Sequence, residues 1–402
     1  MQQQRYYSLD VFRGATVALM ILVNNPGSWA SIFPPLEHAK WNGCTPTDLV
    51  FPFFLFAVGN AMAFVMPKFE QKGSKYFLIK VIKRSILIFG IGLLLNWSPF
   101  VQWSGNELVF KPWSYLHTNA NGTSYEDGVR LLGVLQRIAI CYLIASLIVY
   151  YFKPKGAMVA AIIILFAYWL ISLLAGNSAD PFSITGHFAR NIDIAVLTKY
   201  HMLHIDKIDG KVFHFDYEGL ASTTAAIAQV IMGYLIGYYI QQKGKTYEML
   251  SNLLVAAILF MAAGYCWDMV FPINKKIWSS SYTIYTTGLA IATIGVLIYL
   301  LEFKNAKGAW SKFFDVFGKN PLFIFVLSGF LPRLLTLFRI NDHTDENGNP
   351  VYLSAFGWFY EHICKNISTD LRVGSLVYAI SMIVMYWFIV YLLDKKKIYI
   401  KV

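Results

Sequence analysis

His38 and Asp48 stand ten residues apart between two long apolar runs, and Asn24 and Asn25 close the first of those runs. A histidine titrates near neutral pH, so His38 can take a proton from an incoming amine or hydroxyl, or carry an acyl group itself. Asp48 can orient the ring and stabilise an imidazolium. Asn24 and Asn25 can donate hydrogen bonds to a developing oxyanion. Asp10 and Arg13 lie three residues apart at the other end of the first run and read as a structural ion pair on one helical face. Polar and ionisable groups thus flank apolar segments throughout the stretch from Arg5 to Asn60, a pattern that marks functional paths in membrane proteins.

The elements that must position these residues are apolar helices. The chain has 402 residues, 56% of them hydrophobic and only 14% charged. Soluble domains carry about 25% charged residues, so this chain cannot cover a globule of its size with solvated side chains. A soluble enzyme, a disordered chain and a nucleic-acid binder are excluded on that ground. A membrane span takes roughly 20 apolar residues. Ten segments qualify: 11–23, 49–66, 81–97, 132–152, 156–174, 220–240, 249–271, 282–301, 321–338 and 375–393. The expected fold is an all-α polytopic bundle, residues 1–402 forming one transmembrane domain. Asp10 and Arg13 at the start of the first run, with no small-residue cleavage site after it, argue against a cleaved signal peptide.

The net charge of +11 is placed unevenly. Lys68, Lys72, Lys75, Lys80, Lys83, Arg84, Lys153, Lys155, Lys243, Lys245, Lys304, Lys307, Lys312, Lys319 and Lys395 to Lys397 crowd into short loops and the C-terminal tail. The positive-inside rule then puts both termini in the cytoplasm. The long loops 24–47, 98–131, 175–219 and 339–374 face the other side and hold all eight histidines. Their Trp, Tyr, Asn and Gly content suits a folded outer cap over a polar substrate. The cysteines and histidines show no metal-ligand spacing, so no metal is expected. Cys44 and Cys364 both fall outside, which leaves a disulfide between them open.

Several blocks taken together resemble the heparan-α-glucosaminide N-acetyltransferase family and its bacterial relatives. They are Ser8 to Gly14, Val23-Asn24, His38 to Gly43, Asp48 to Pro52, Lys83 to Ser85, Gly133 to Arg137, Asp216 to Leu220 and Ile273 to Tyr282. They run in order along nearly the whole chain. The resemblance implies a transmembrane acyltransferase that moves acetyl from cytosolic acetyl-CoA to the amine of a terminal glucosamine across the membrane. It implies His38 as the active-site residue with Asn24 beside it, and it suggests a homodimer. It also implies an integral protein of the bacterial inner (plasma) membrane, with the site loops in the periplasm. Two departures stand out. The lysosomal members carry an N-terminal luminal domain and an extra span before this signature. The interval from Asn24 to His38 is longer here and holds Pro26, Pro34 and Pro35.

This frame assigns further residues. Lys83, Arg84, Lys319 and Asn320 are the expected contacts for the anionic donor at the cytoplasmic face. Asn25, Gln136, Arg137, Glu218, Asn274, Lys275 and Trp278 are the expected lining of the sugar site, in either a heparan-type glycan or a simple amino sugar. Arg137 lies inside a span and must find a partner, with Asp48 or Glu218 expected to supply it. Direct transfer and an acetyl-His38 intermediate are equally compatible with these residues. The rival from another class is a transporter that carries an amino sugar or oligosaccharide through the same bundle.

Overall fold

The computed structural model describes residues 6–400, apart from 119–123, 178, 209–210, 346–347 and 349, so Arg5 lies outside the described residues. Among the described residues the chain forms twelve α-helices. These are α1 (Tyr7–Asn24), α2 (Val50–Lys72), α3 (Ser74–Trp97), α4 (Val134–Ala175), α5 (Ala189–Leu197), α6 (Leu220–Lys243), α7 (Tyr247–Asp268), α8 (Ser280–Ile298), α9 (Ala309–Lys319), α10 (Pro321–Leu335), α11 (Ala355–Phe359) and α12 (Leu371–Lys395). Four antiparallel hairpins interrupt them: β1 (Val101–Ser104) with β2 (Glu107–Phe110), β3 (Ser114–Thr118) with β4 (Ser124–Gly128), β5 (His204–Ile208) with β6 (Lys211–His214), and β7 (Ile340–Thr344) with β8 (Pro350–Leu353). Every hairpin falls within a loop predicted to face outward.

Seven helical segments are long and apolar enough to cross a membrane, or eight if the bent pair α9–α10 counts as one. The ten predicted segments differ from these in three places. The predicted spans 132–152 and 156–174 lie in one helical run of 42 residues, kinked at Lys153 (φ 59°) and Pro154. At 1.5 Å per residue that run is about 63 Å long, roughly twice the bilayer core. The predicted span 321–338 is a helix of only 15 residues, bent by 79° from α9 at Asn320. A helix that short covers about 22 Å and cannot cross alone. The segment predicted at 81–97 is the last 17 of the 24 residues of α3, which carries Lys75 and Lys80 before that segment and Lys83 and Arg84 at its start.

The bundle is organised around α6. In its most apolar window 78% is buried, against 28% for α4, α7 and α12. Glycines let α6 approach α2: a Cβ at Gly59 would strike the Val230 carbonyl, and one at Gly233 the Phe56 carbonyl. Small residues at helix crossings are the usual route to close packing in lipid, where apolar side chains gain little by leaving the solvent. Outward-facing Ile162, Phe166 and Leu170 on α4, Ile258 and Leu259 on α7 and Val384 and Phe388 on α12 form the apolar exterior. Between α6 and α8, polar groups are matched. Gln229 on α6 donates to Thr287 on α8 at 2.9 Å, and Thr283, Thr286 and Thr287 return their hydroxyls to carbonyls four residues back.

Candidate functional site

The loop between α1 and α2 builds its own carboxylate cradle. Thr45-Pro46-Thr47-Asp48 forms a capping box at a short 3₁₀ turn that leads into α2, an arrangement worth about 1 kcal/mol. Asp48 Oδ2 accepts from the Thr45 and Ala39 amides and the Thr45 hydroxyl, each at 3.1 Å. Oδ1 takes His38 Nδ1 at 2.6 Å. The Asp48 carbonyl is held by the Tyr282 hydroxyl at 2.6 Å. An ionised carboxylate only accepts, so a proton sits on Nδ1 and Nε2 is the nitrogen turned away from Asp48. His38 is therefore oriented as a base.

A second loop, between α7 and α8, docks on the first. Gly43 (φ 109°) donates its amide to the Ile273 carbonyl at 2.7 Å and bridges Asn274. The Asn274 amide donates to Asn42 at 3.1 Å, while its oxygen accepts from the Lys276 and Ile277 amides. Asn274 is fully buried in this lock. It lines neither cavity described below, so the expected sugar contact is replaced by a structural one. The lock delivers Lys275, whose Nζ lies 3.2 Å from His38 Nδ1 and 3.4 Å from Asp48 Oδ1. Burial lowers the Lys275 pKa, opposed by the nearby Asp48 and Glu218.

These residues open on a cavity of 230 Å³ lined by His38, Trp41, Asp48, Tyr217, Glu218, Lys275, Lys276 and Trp278, with Ala39. Trp278 is 1% exposed and holds φ 51°, a left-handed conformation rare for a bulky residue. Its ring packs edge-on to Phe51 and Tyr282 at 5.0 and 5.3 Å. Such burial places it inside the protein and not in an interfacial aromatic belt. Cys44 beside this cavity is a poor nucleophile, because burial and Asp48 push its thiol up to about 12. All four cysteines are free, so Cys44 and Cys364 are not bridged.

Arg137 is completely buried, and the expected acid partner is corrected. It donates to Thr223 Oγ1 and the Gly219 carbonyl, each at 3.2 Å, and to the Ser222 hydroxyl, all at the start of α6. Its guanidinium stacks over Trp278 at 5.0 Å. Of the two acids expected for it, Asp48 pairs with His38, and Glu218 pairs with Arg130, which also grips Asp216 at 2.5 and 3.0 Å.

Asn24 and Asn25 do not line the His38 cavity. With Gln136 they line a larger one of 420 Å³, together with Trp29, Asn96, Arg130 and Arg333. Arg130 borders this larger cavity and its partner Glu218 borders the smaller, so their ion pair connects the two walls. The four residues predicted for the donor divide as well. Lys319 binds Asp315 and Asp394 at 2.9 and 3.0 Å, and Asn320 ties down Ile398 and Ile400 of the C-terminal tail. Lys83 is exposed, and Arg84 reaches over the Tyr142 ring at 4.8 Å. Among the described residues no three His, Cys, Asp or Glu side chains gather as a metal site.

Residues 5–194 match the family described as "Heparan-alpha-glucosaminide N-acetyltransferase, catalytic". The human protein named Heparan-alpha-glucosaminide N-acetyltransferase is 27% identical over 376 residues, which cover 80% of this chain and 52% of that protein. The mouse protein of the same name is 26% identical over 375 residues, covering 80% of this chain and 53% of that protein. This chain is similar to the heparan-alpha-glucosaminide N-acetyltransferases. It spans about half the length of the curated relatives it matches. The match to the acetyltransferase family takes in His38 and Asp48 but stops before Glu218, Lys275 and Trp278. The acetyltransferase-like region thus completes its cavity with residues from outside the matched segment.

The positions that sequence reasoning missed have different origins. Thr45 carried a signal, since Thr-x-x-Asp before an apolar run is a capping pattern. Arg130 carried none, because its partners lie 86 and 88 residues away. Four other histidines make contacts within the long loops. His201 Nδ1 meets the Val129 carbonyl at 2.8 Å, His214 Nε2 meets the Glu126 carbonyl at 3.0 Å, and His343 and His362 flank Asp342.

Proposed function

We propose that the chain is an acyltransferase that moves acetyl from acetyl-CoA to the amine of a glucosamine-type sugar, with the His38 cavity as the transfer site. The observation that carries this reading is the His38–Asp48 pair, which leaves Nε2 free in a partly open cavity beside a lysine. The sugar nitrogen attacks the thioester carbonyl, and a C–N bond forms as the C–S bond breaks. His38 Nε2 takes the proton from nitrogen, Asp48 stabilises the imidazolium, and the proton passes to the departing thiolate. Lys275 is the cationic donor nearest the reacting atoms, so it supplies the oxyanion stabilisation first assigned to Asn24. Tyr217 and Trp41 offer apolar faces to a pyranose ring, Trp278 backs the cavity wall, and Glu218 offers an acceptor for the sugar hydroxyls.

We read the topology as ten crossings. Dividing α4 at Lys153 and counting α3 and the bent pair gives an even number, which returns the C-terminus to the side of the N-terminus. The short basic loops put that side in the cytoplasm. Of the four residues first assigned to the donor, Lys83 and Arg84 remain available to meet its phosphates there, whereas Lys319 and Asn320 fasten the C-terminal tail.

The test is CoA release by the purified chain given acetyl-CoA and glucosamine, for wild type and His38→Ala. Turnover in wild type and its loss in the variant support the reading. Equal rates in both sink it, and sugar uptake into vesicles without CoA release points to a transporter. Labelled acetyl retained on the protein with donor alone favours an acetyl-His38 route over direct transfer.

A further inference from the structure

The larger cavity is built to receive acceptor atoms, and its donors are unequally spent. Asn96 Nδ2 is used on the Arg130 and Leu132 carbonyls. Asn25 Nδ2 is used on the Ile21 carbonyl. Arg130 is neutralised by Asp216 and Glu218. Beside the exposed Asn24 and Trp29, Gln136 and the exposed Arg333 keep unmet capacity. Gln136 is 1% exposed, and its Nε2 has no hydrogen-bond partner. Arg333 makes one hydrogen bond, to the Leu95 carbonyl, and forms no ion pair among the described residues. No Asp or Glu lines the cavity. Glycine at position 92 keeps the space open, since a Cβ there would come within 2.5 Å of the Gln136 side-chain oxygen.

A buried amide N–H without a partner is costly, more so at membrane depth, and a guanidinium fork matches an oxyanion. We infer that this cavity binds an oxyanion carried by one of the two substrates, held by Arg333 and Gln136. The chemistry is that of a sulfate, carboxylate or phosphate oxygen accepting from a guanidinium and a primary amide. Two sources carry such a group: a sulfated or carboxylated acceptor sugar, and the phosphates of the acetyl donor, which would then lie here and not at Lys83 and Arg84. The inference rests on the reading of the neighbouring His38 cavity as the transfer site.

Steady-state kinetics of the full chain in detergent test it, with acetyl-CoA as donor and glucosamine or glucosamine 6-sulfate as acceptor. Arg333→Gln is expected to raise the KM of the anion-bearing substrate by about 10-fold to 100-fold, the range for a lost charged hydrogen bond, with a smaller change in kcat. Arg333→Lys should recover part of that loss, and Gln136→Leu should give a weaker version of it. A rise confined to glucosamine 6-sulfate assigns the site to the acceptor. A rise in the acetyl-CoA KM with either acceptor assigns it to donor phosphate. Both outcomes support the inference. An unchanged KM for both anionic substrates overturns it, as does an equal rise for the sulfated and plain sugar with the acetyl-CoA KM unchanged. Calorimetric binding of acetyl-CoA and of glucosamine 6-sulfate gives a readout that does not need turnover. Arg333-dependent binding without CoA release would leave this inference standing while the transfer reading fails. A folded wild-type chain that binds neither probe overturns it.

Discussion

The two cavities are neighbours that differ in how their charged groups are met. Around His38 the carboxylate is fully met, although Trp278 Nε1 in the cavity wall has no partner: Asp48 accepts from three donors on one oxygen and from the ring on the other, and its carbonyl takes a tyrosine hydroxyl. Around Gln136 a buried donor is left over and an arginine lacks a carboxylate. A cavity that is wired before substrate arrives suits chemistry, because oriented groups need no reorganisation at the moment of reaction. A cavity with unspent donors suits binding, because the ligand itself supplies the missing acceptors.

Substitutions can break or sharpen that contrast. The largest effect is expected at His38: His38→Ala should lower kcat about a thousandfold, read as CoA release. Asp48→Asn should cost about a hundredfold, because the amide orients the ring less well and can no longer stabilise an imidazolium. It should also lower the melting temperature, since the capping box loses its charged acceptor. Were Asp48→Asn fully active, the pair would be scaffolding only. Lys275→Gln should reduce kcat about tenfold. Its pH profile is more telling. Burial lowers the Lys275 pKa, so the ammonium is lost as pH rises, starting below the ordinary lysine range. The wild-type rate should therefore fall on its alkaline side, and the variant should lack that limb.

Asn24→Ala probes the separation of the cavities directly. The expected effect on kcat is below about tenfold, within the range of one uncharged hydrogen bond. A loss as large as that of His38→Ala would join the two cavities into one reacting site. The smallest effect concerns stability. Asp193 on α5 is 1% exposed, and its Oδ1 accepts from the Leu220 amide at 2.8 Å at the start of α6. Burial raises its carboxyl to about 7, from 3.8. Between those values the folded state holds a proton that the unfolded chain has released. The associated stabilisation is therefore complete below about pH 4 and is lost as pH rises through 7. Melting curves from pH 5 to 8 should decline with pH, and Asp193→Asn should flatten the decline.

Much of the site was legible because it is local. His38, Thr45 and Asp48 sit within one short loop, and their pairing follows from a capping pattern and residue chemistry. Trp278 and Glu218 were assigned to the same site from the resemblance, and both line its cavity. Asn274 was assigned with them, yet it faces the loop lock, because an amide can serve two backbone donors as readily as a sugar. Asn24 adjoins Asn25 at the end of α1, but helix geometry turns both toward the larger cavity. Glu218, one of the two acids expected for Arg137, went to Arg130, and no spacing along the chain distinguishes those two arginines.

The sequence by itself determined that this chain is a set of apolar helices with a polar cap, and that its basic residues crowd into the short loops. Those properties depend on composition and on runs of neighbouring residues, which lipid and water sort without reference to the final packing. Only the tertiary structure decided that Lys275 stands beside His38, that the candidate polar residues divide between two cavities, and that α4 kinks while α9 and α10 bend apart. These depend on which surfaces meet after the helices pack, and contact between residues far apart in the chain leaves no mark on local pattern.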